Sequence, residues 1–478
     1  MEIFIMATVI ATKIGSTNKG LPRVWLEGRK LEREGIEIGM KYQLNFDQDA
    51  GQVKVTFGTD LENYSGTVSR RKLRGSDESY LPVIDMNSRE FLDLFSESEE
   101  IRIAIRDKKM VITAQVSSSD AKERVERLQR KLATGEAITV ASLFHGGGVL
   151  DNAVHAGLER AGVTSYVKVA VELESKYLES SLANNYHLFK ADSVLFEGSI
   201  EHFNPRGTSV DVVCAGIPCT GASLSGRAKN KLACAEDHQE AGALFYYFLS
   251  AVTALNPSIV VIENVVPYSS TASMAVIRSV LSSRGYVLEE TILDASQHGC
   301  IEDRQRLCVI ARTPGATETA VLETLIPTKV KESCVGDILE NIPDNSPMWK
   351  TYDYLADKEL RDLEAGKGFR RQLIKASDEK YGCVAKGYNK ARSTEPFICH
   401  PTDPALSRLL TPIEHARGKG IPVSIIDGLS DTTAHEVLGQ SVCWPPFEAV
   451  GFALGSNMLA ALSGGAGSQF SAPTHKAA

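Results

Sequence analysis

No apolar stretch in this chain runs unbroken to membrane-spanning length, no two cysteines stand at CxxC spacing, and positive charge is not in excess. The first absence excludes a helical membrane span and makes a soluble globular protein the expectation. The start, MEIFIMATVIATK, alternates like a strand, carries an acid at Glu2, and lacks a basic leader and a cleavage site, so a cytoplasmic location is expected. Nine scattered cysteines, an odd number in 478 residues, argue against a disulfide framework and for reduced thiols. His145, His298 and His415 show no ligand spacing, and no metal site is expected. The dinucleotide fingerprint GxGxxG is missing, which disfavours a nicotinamide dehydrogenase, and no Lys-Ser/Thr follows the glycine turn at 146–148 to make a phosphate cradle. The formal net charge of -8 bears on solubility; nucleic-acid binding depends on local patches.

With 43% hydrophobic residues the chain can bury a large core and divide into two or three domains. Residues 1–117 read as a β-rich module, in which Arg23 to Phe57 and Leu81 to Ala114 each run strand, acidic turn, hairpin, as if one small unit were present twice. A polar helix over 118–136 links this module to the rest. Over 137–312 the pattern becomes strand, helix, strand, helix, with apolar runs ITVASLF, YVKVAVEL, DVVCAGI, IVVIENV and RLCVIAR. The predicted fold class is α/β, a doubly wound, mostly parallel sheet. Residues 313–407 lose the pattern, 408–463 regain helices, and 464–478 are Gly, Ser, Ala and Pro without periodicity, an expected disordered tail.

Three strand ends carry chemistry. DVVCAGI runs into Pro218-Cys219 on a polar loop, IVVIENV contains Glu263, and RLCVIAR opens on Arg306, the second arginine of Arg304-Gln-Arg306. Ligands bind beyond the carboxyl ends of such strands, so thiol, acid and guanidinium converge on one crevice. A thiol there is a candidate nucleophile, whereas Cys214, Cys234, Cys308 and Cys443 read as buried inert thiols. The turn Phe144-His-Gly146-Gly-Gly148 opens a helix after the first strand, and the next strand ends in Glu172-Leu173, an acid placed where ribose hydroxyls are gripped. The pair suggests an adenosyl ligand.

In this order and spacing the residues resemble the cytosine C5 DNA methyltransferase family. The resemblance spans about 138–460 and includes Phe144 to Gly148, Glu172, Pro218-Cys219, Glu263-Asn-Val, Arg304-x-Arg306, Arg408 to Arg417 and Gly439-Gln440-Ser441-Val442. It implies a class I, Rossmann-like domain that uses S-adenosyl-L-methionine, double-stranded DNA as substrate, and base flipping. It implies Cys219 as the nucleophile on C6, Glu263 at N3 and the exocyclic amine, Arg306 at O2, and Arg304 positioning its loop and a phosphate. Cofactor contacts carried over are Phe144, Gly146, Gly148, Glu172, Leu173, Ser199, Ile200, Pro218, Leu244, Gln440 and Ser441. It also places a target-recognition domain at 313–407, makes 408–463 the completion of the catalytic domain, and suggests a cognate restriction endonuclease as partner and association with the nucleoid.

The sequence departs from the family pattern at Ser142 and Ser199, where aspartates are usual, and at Thr220, Ala222, Glu302 (for glutamine) and Gln440 (for asparagine). Asp192 is the candidate substitute for the acid missing at 199. From Lys367 to Lys419 eleven Lys/Arg face five Asp/Glu, the local basic patch that DNA binding requires. The N-terminal module is loosely similar to bacterial transition-state regulators and SymE-like swapped-hairpin folds, which implies DNA contact, for which SRRKLRG is a candidate, or a dimer in place of a monomer. Two rival functions stay open: an RNA cytosine-5 methyltransferase, and a DNA-binding regulator with a degenerate core.

Overall fold

Apolar and polar residues alternate along the first strands, and this alternation builds the N-terminal unit. The structure, a computed structural model, describes residues 8–48, 50–73, 79–95, 100–218 and 242–464. They form two compact units, 8–123 and 124–464. In the first lie β1 (Thr8–Lys13), β2 (Gly15–Ser16), β3 (Pro22–Glu27), α1 (Arg29–Arg33), β4 (Lys41–Asp47), β5 (Gln52–Gly58), β6 (Gly66–Thr67), β7 (Ser69–Lys72), β8 (Tyr80–Asn87), β9 (Glu100–Arg106) and β10 (Lys109–Ala114). The described strands make two sheets, ordered β1-β9-β10-β5-β4-β6 and β2-β3-β8-β7. Both orders read as palindromes: β3 pairs antiparallel with β8, and β5 with β10. The runs from β3 to β5 and from β8 to β10 therefore occupy equivalent places about a pseudo-two-fold axis. Inward positions such as Val24, Leu26, Val53, Ile84, Ile103 and Ile105 form its core.

The helix α2 (Val116–Thr134) begins in the first unit, and its part in the second unit is tied down by its cations. Lys131 Nζ and Arg127 Nε lie 2.7 Å and 3.1 Å from the buried Asp211 carboxylate. There follow β11 (Ile138–Leu143), α3 (Val149–Arg160), β12 (Ser165–Glu172), α4 (Ser175–Asn184), β13 (Phe189–Glu197), β14 (Val212–Gly216), α5 (Leu244–Leu255), β15 (Ile259–Asn264), α6 (Ala272–Ser283), β16 (Val287–Asp294), β17 (Glu302–Asp303) and β18 (Gln305–Arg312). The seven-stranded sheet runs β13-β12-β11-β14-β15-β18-β16. Strands β11 to β15 pair in parallel, while β18 is antiparallel to both β15 and β16. This is the doubly wound, mostly parallel sheet predicted, with its order reversing between β11 and β14, where ligand crevices form.

Strand β11 is buried along its whole length because both faces are covered. Ile138 and Val140 enter a core with α3, whereas Ala141 and Leu143 enter one with α5 and α6. The first core extends past the predicted edge at 312, taking in Ala316 and Val321. Beyond these lie α7 (Asp353–Glu364), β19 (Gln372–Ile374), β20 (Tyr381–Gly382), β21 (Pro396–Cys399) and β22 (Ser407–Arg408), with a small core of Val335, Ile338, Ile374, Val384, Tyr388 and Ile398. The helices α8 (Pro412–Gly418), α9 (Asp431–Gln440) and α10 (Trp444–Gly464) complete the unit. Past Gly464 the predicted tail lies outside the described residues. Among the described residues no helix is long and apolar enough to cross a membrane.

Candidate active site

The antiparallel insertion of β18 decides where the arginines go. Because β18 runs against β15, its first residues meet the last residues of β15, with Asn264 opposite Leu307 and Glu263 opposite Cys308. Arg306 Nε thereby lies 2.9 Å from Glu263 Oε1, both side chains being 16% exposed. On the other flank Glu263 pairs with Gly216 of β14. A Cβ at Gly216 would come within 3.4 Å of Glu263 Oε2, so the bare glycine leaves that oxygen facing the strand that leads to Pro218. Buried Asn264 fixes the exit of β14 by donating from Nδ2 to the Ile217 carbonyl at 3.1 Å. Pro218 thus stands at the strand ends beside Glu263. Cys219, with Thr220, Ala222 and the loop through 241, lies outside the described residues, as does Cys234.

Arg304 turns the other way. It is 6% exposed, and Nη1 donates to Glu302 Oε1 at 3.3 Å and to the Val384 carbonyl at 3.5 Å. The expectation that Arg304 also reaches a phosphate is corrected: its buried guanidinium points into the protein, to Glu302 on its own loop and to the Val384 carbonyl.

The glycine turn is built around a strained residue. Phe144 has φ 62, a left-handed conformation that costs a non-glycine residue roughly 1–2 kcal/mol. Its ring packs on the second core, and the next residue is held by the His145 N–H, which donates to the Val171 carbonyl at 2.9 Å. Glu172 accepts from Gly146 N at 2.6 Å and Glu174 N at 3.0 Å, so the acid at the end of β12 also ties the turn to the sheet. Gly148 has φ 75, and a Cβ there would lie 2.3 Å from Ser181 Oγ. Gln440 reaches the same turn: its buried Nε2 has no partner and lies 3.5 Å from where a Gly146 Cβ would stand. Phe144, Gly146, Gly148, Glu172 and Gln440 are thus brought together.

Beneath the turn is a polar cluster that sequence reasoning missed. The Ser142 hydroxyl donates to Asp151 Oδ2 at 2.6 Å and lies 2.8 Å from His145 Nδ1. With the hydroxyl proton committed to Asp151, Nδ1 is the donor to Ser142, and His145 Nε2, 2.7 Å from Ser181 Oγ, takes that hydroxyl's proton. Asp151, nine positions after Ser142 in the first turn of α3, supplies the carboxylate that Ser142 does not. The serine at 142 together with an acid one turn into the helix was the available signal.

The remaining predicted contacts spread along the crevice. Ile200 is buried in the second core, Ser199 caps its turn by accepting from Glu201 N at 3.4 Å, Leu173 is 63% exposed, and Leu244 opens α5 against the second core. Ser441 turns its hydroxyl back to the Val437 carbonyl. Asp192 does not substitute for the acid missing at 199: it sits near the start of β13, where it holds Lys168 Nζ at 2.5 Å and accepts from Tyr166 Oη at 3.0 Å, far from the carboxyl end.

The basic segment is less basic outside than its count. Arg408 and Lys419 are buried in ion pairs with Glu414 and Glu302, and Arg371, Lys380 and Lys367 are paired with Glu359, Asp303 and Asp362. Arg370, Lys375, Lys386, Lys390 and Arg392 are left exposed, as is Arg417, which donates to the Ile338 carbonyl. In the N-terminal unit Arg71 is paired with Glu27, and Arg70 stacks over Tyr80.

Known proteins are similar to this chain in sequence and in fold. The chain is 29% identical over 262 residues to the type II methyltransferase M.NlaX of Neisseria lactamica, covering 53% of this chain and 77% of the relative. It is 25% identical over 251 residues to M.SsoII of Shigella sonnei, covering 50% and 62%. The Dnmt2 methyltransferase of S. pombe superposes with a TM-score of 0.51 at 17% identity over 65% of this chain and 96% of that one, which shows the fold. Residues 138–456 match the family model of the C-5 cytosine-specific DNA methylases, the same stretch that holds the glycine turn, Glu263 and Arg306. The chain belongs to the C-5 cytosine-specific DNA methylase family, an enzyme family of DNA methyltransferases.

Proposed function

We propose that this protein methylates C5 of cytosine in duplex DNA, with Cys219 as nucleophile and Glu263 and Arg306 as the groups that make attack feasible. The observation that carries the reading is the 2.9 Å Arg306–Glu263 pair at the strand ends beside Pro218. The residues present suit S-adenosyl-L-methionine: the orphaned Gln440 Nε2 faces the glycine turn, Glu172 stands at the end of β12, and the N-terminus of α3 favours an anionic carboxylate. When bound, that cofactor supplies an electrophilic methyl group.

Cytosine C5 is a poor nucleophile until something adds at C6. The Cys219 thiolate forms the S–C6 bond, the C5–C6 π pair shifts to C4–C5, the C4–N3 π pair moves onto N3, and a proton carried by Glu263 passes to N3, leaving C5 enamine-like. Arg306 neutralises charge at O2 and, by holding Glu263 Oε1, leaves Oε2 free for the base. After C5 takes the methyl group the N3 proton returns to Glu263, the C5 proton passes to water as the C5–C6 double bond re-forms, and the S–C6 pair leaves with Cys219 as thiolate. No side chain reaches C6 inside a stacked duplex, so the base is flipped out.

The region from α7 to β22 is the recognition surface in this reading, with Arg370, Lys375, Lys386, Lys390 and Arg392 on DNA. The type II names of the relatives support a cognate restriction endonuclease as partner. Labelled-methyl transfer into duplex DNA, with tRNA in parallel, tests the reading. Incorporation into DNA is expected; incorporation into tRNA alone would replace DNA by RNA, and none into either would leave the regulator.

A further inference from the structure

Glu302 stands where the family resemblance expects a neutral glutamine, and the structure shows it fully buried. A carboxylate without access to water needs a cation. Lys419, also fully buried, supplies it, with Nζ 3.0 Å from Glu302 Oε1. The same oxygen takes Arg304 Nη1 at 3.3 Å, so one acid gathers two cations.

The backbone around the acid joins three parts of the unit. Glu302 lies in β17, which pairs in parallel with β20 of the recognition region, Glu302 opposite Tyr381 and Asp303 opposite Gly382. Ile301 N donates to the Gly418 carbonyl at the end of α8 at 3.1 Å, and Ala295 N to the Arg304 carbonyl at 3.0 Å. Two residues after Arg304 the chain reaches Arg306, opposite Leu293 on β16. The orientation of Arg306 is therefore set by a short segment whose charge is fixed from α8 and whose backbone is fixed from the recognition region.

We propose that the buried Glu302–Lys419 pair is the positioning device for Arg306, coupling the recognition region and α8 to the catalytic arginine. The inference rests on the reading of Arg306 above, and it adds two residues that do not touch the base. It also accounts for the departure from glutamine: an acid is tolerated here because its partner is a lysine. A pair of this kind has a recognisable behaviour. Removing Glu302 strands Lys419 and Arg304, removing Lys419 leaves the acid only the longer 3.3 Å contact with Arg304, and replacing both by neutral groups leaves Arg304 beside a neutral amide, as the family glutamine implies.

The test uses the full chain with Glu302→Gln, Lys419→Gln, the double variant and Glu302→Asp, which keeps the charge but shortens its reach. Three readouts are taken: thermal midpoint, S-adenosylmethionine Kd by calorimetry, and the single-turnover rate of labelled-methyl transfer into duplex DNA. Each single variant is expected to keep Kd within about twofold and to lose about tenfold or more in single-turnover rate, and the double variant to regain most of that rate. Glu302→Asp is expected to fold and still lose rate. If the Gln variants do not fold, the double variant and Glu302→Asp decide the matter. A lowered midpoint with an unchanged rate below it, or a Glu302→Asp protein at the wild-type rate, overturns the proposal while leaving the functional reading in place. A wild-type protein that transfers no methyl group overturns that reading, and the proposal with it.

Discussion

Arg306 and Glu263 meet at 2.9 Å because β18 runs against β15, which brings the first residues of one strand to the last residues of the other. The pair sets up a direct prediction. Glu263→Gln keeps the shape of the site but removes the proton donor, so the single-turnover rate should fall by about 100-fold or more, in the range of general acid catalysis, with S-adenosylmethionine binding unchanged. Arg306→Ala should lose comparable rate and also weaken binding of the flipped base. Wild-type rates in both variants would show that these strand ends do not act on one base.

The glycine turn should be intolerant for a stated reason. Gly148→Ala forces a Cβ to 2.3 Å from Ser181 Oγ at φ 75, so the turn must shift. Calorimetry should show weaker S-adenosylmethionine binding, with a lowered thermal midpoint. Asp151→Asn should act in the same direction, since Ser142 and His145 lose a charged acceptor. Unaltered affinity in both would remove the buried cluster from cofactor binding.

Acid should destabilise the fold through buried imidazoles. His415 and His435 stack with Nδ1 atoms 3.0 Å apart, where one ring must donate and the other accept. Burial holds His435 down at about 4, against the pull of Asp431, and pushes His415 well below its usual 6.5. The unfolded chain then binds more protons than the folded one between 6.5 and about 4. Stability from His435 is present above 6.5 and is lost as pH falls toward 4, by about 3 kcal/mol at most. Thermal midpoints across this window should decline, and less steeply in His435→Gln; an equal slope would exclude the imidazole as the cause.

Salt dependence should report the exposed cations. Arg370→Ala combined with Lys390→Ala removes two surface charges, and for every phosphate that goes unneutralised the slope of log K against log salt should flatten by about 0.9. Arg408→Ala should instead lower the thermal midpoint, because it strands the buried Glu414. A slope unchanged by the first pair would move DNA binding elsewhere.

What could be read from sequence follows from period and from exposure. Strands such as Ile138–Leu143 and Ile259–Asn264 are continuous apolar runs, so their ends, and Glu263 with them, could be located before any coordinates. Strands of two to four residues, such as β17, β20 and β22, carry too few residues for a period to register, and the recognition region read as loop although it has its own core. Charge was the weakest guide. Arg304, Arg408 and Lys419 look like Arg370 or Lys390 in a count, but burial turns the first three inward to Glu302 and Glu414. Asp151 was missed for another reason: it serves a serine nine positions away, so the serine at the end of the strand and the acid in the first turn of the helix had to be read together.

The covalent step is open to one decisive measurement. Duplex DNA with 5-fluorocytosine in place of cytosine, mixed with the protein and S-adenosylmethionine, should yield a denaturation-stable protein–DNA adduct, because fluorine at C5 blocks the proton loss that lets the thiol leave. Peptide mass spectrometry should place the adduct at Cys219, and Cys219→Ala should form none while still binding DNA. Methyl transfer to ordinary duplex DNA by a protein that forms no such adduct, or by the alanine variant, would contradict the assignment of Cys219 as nucleophile.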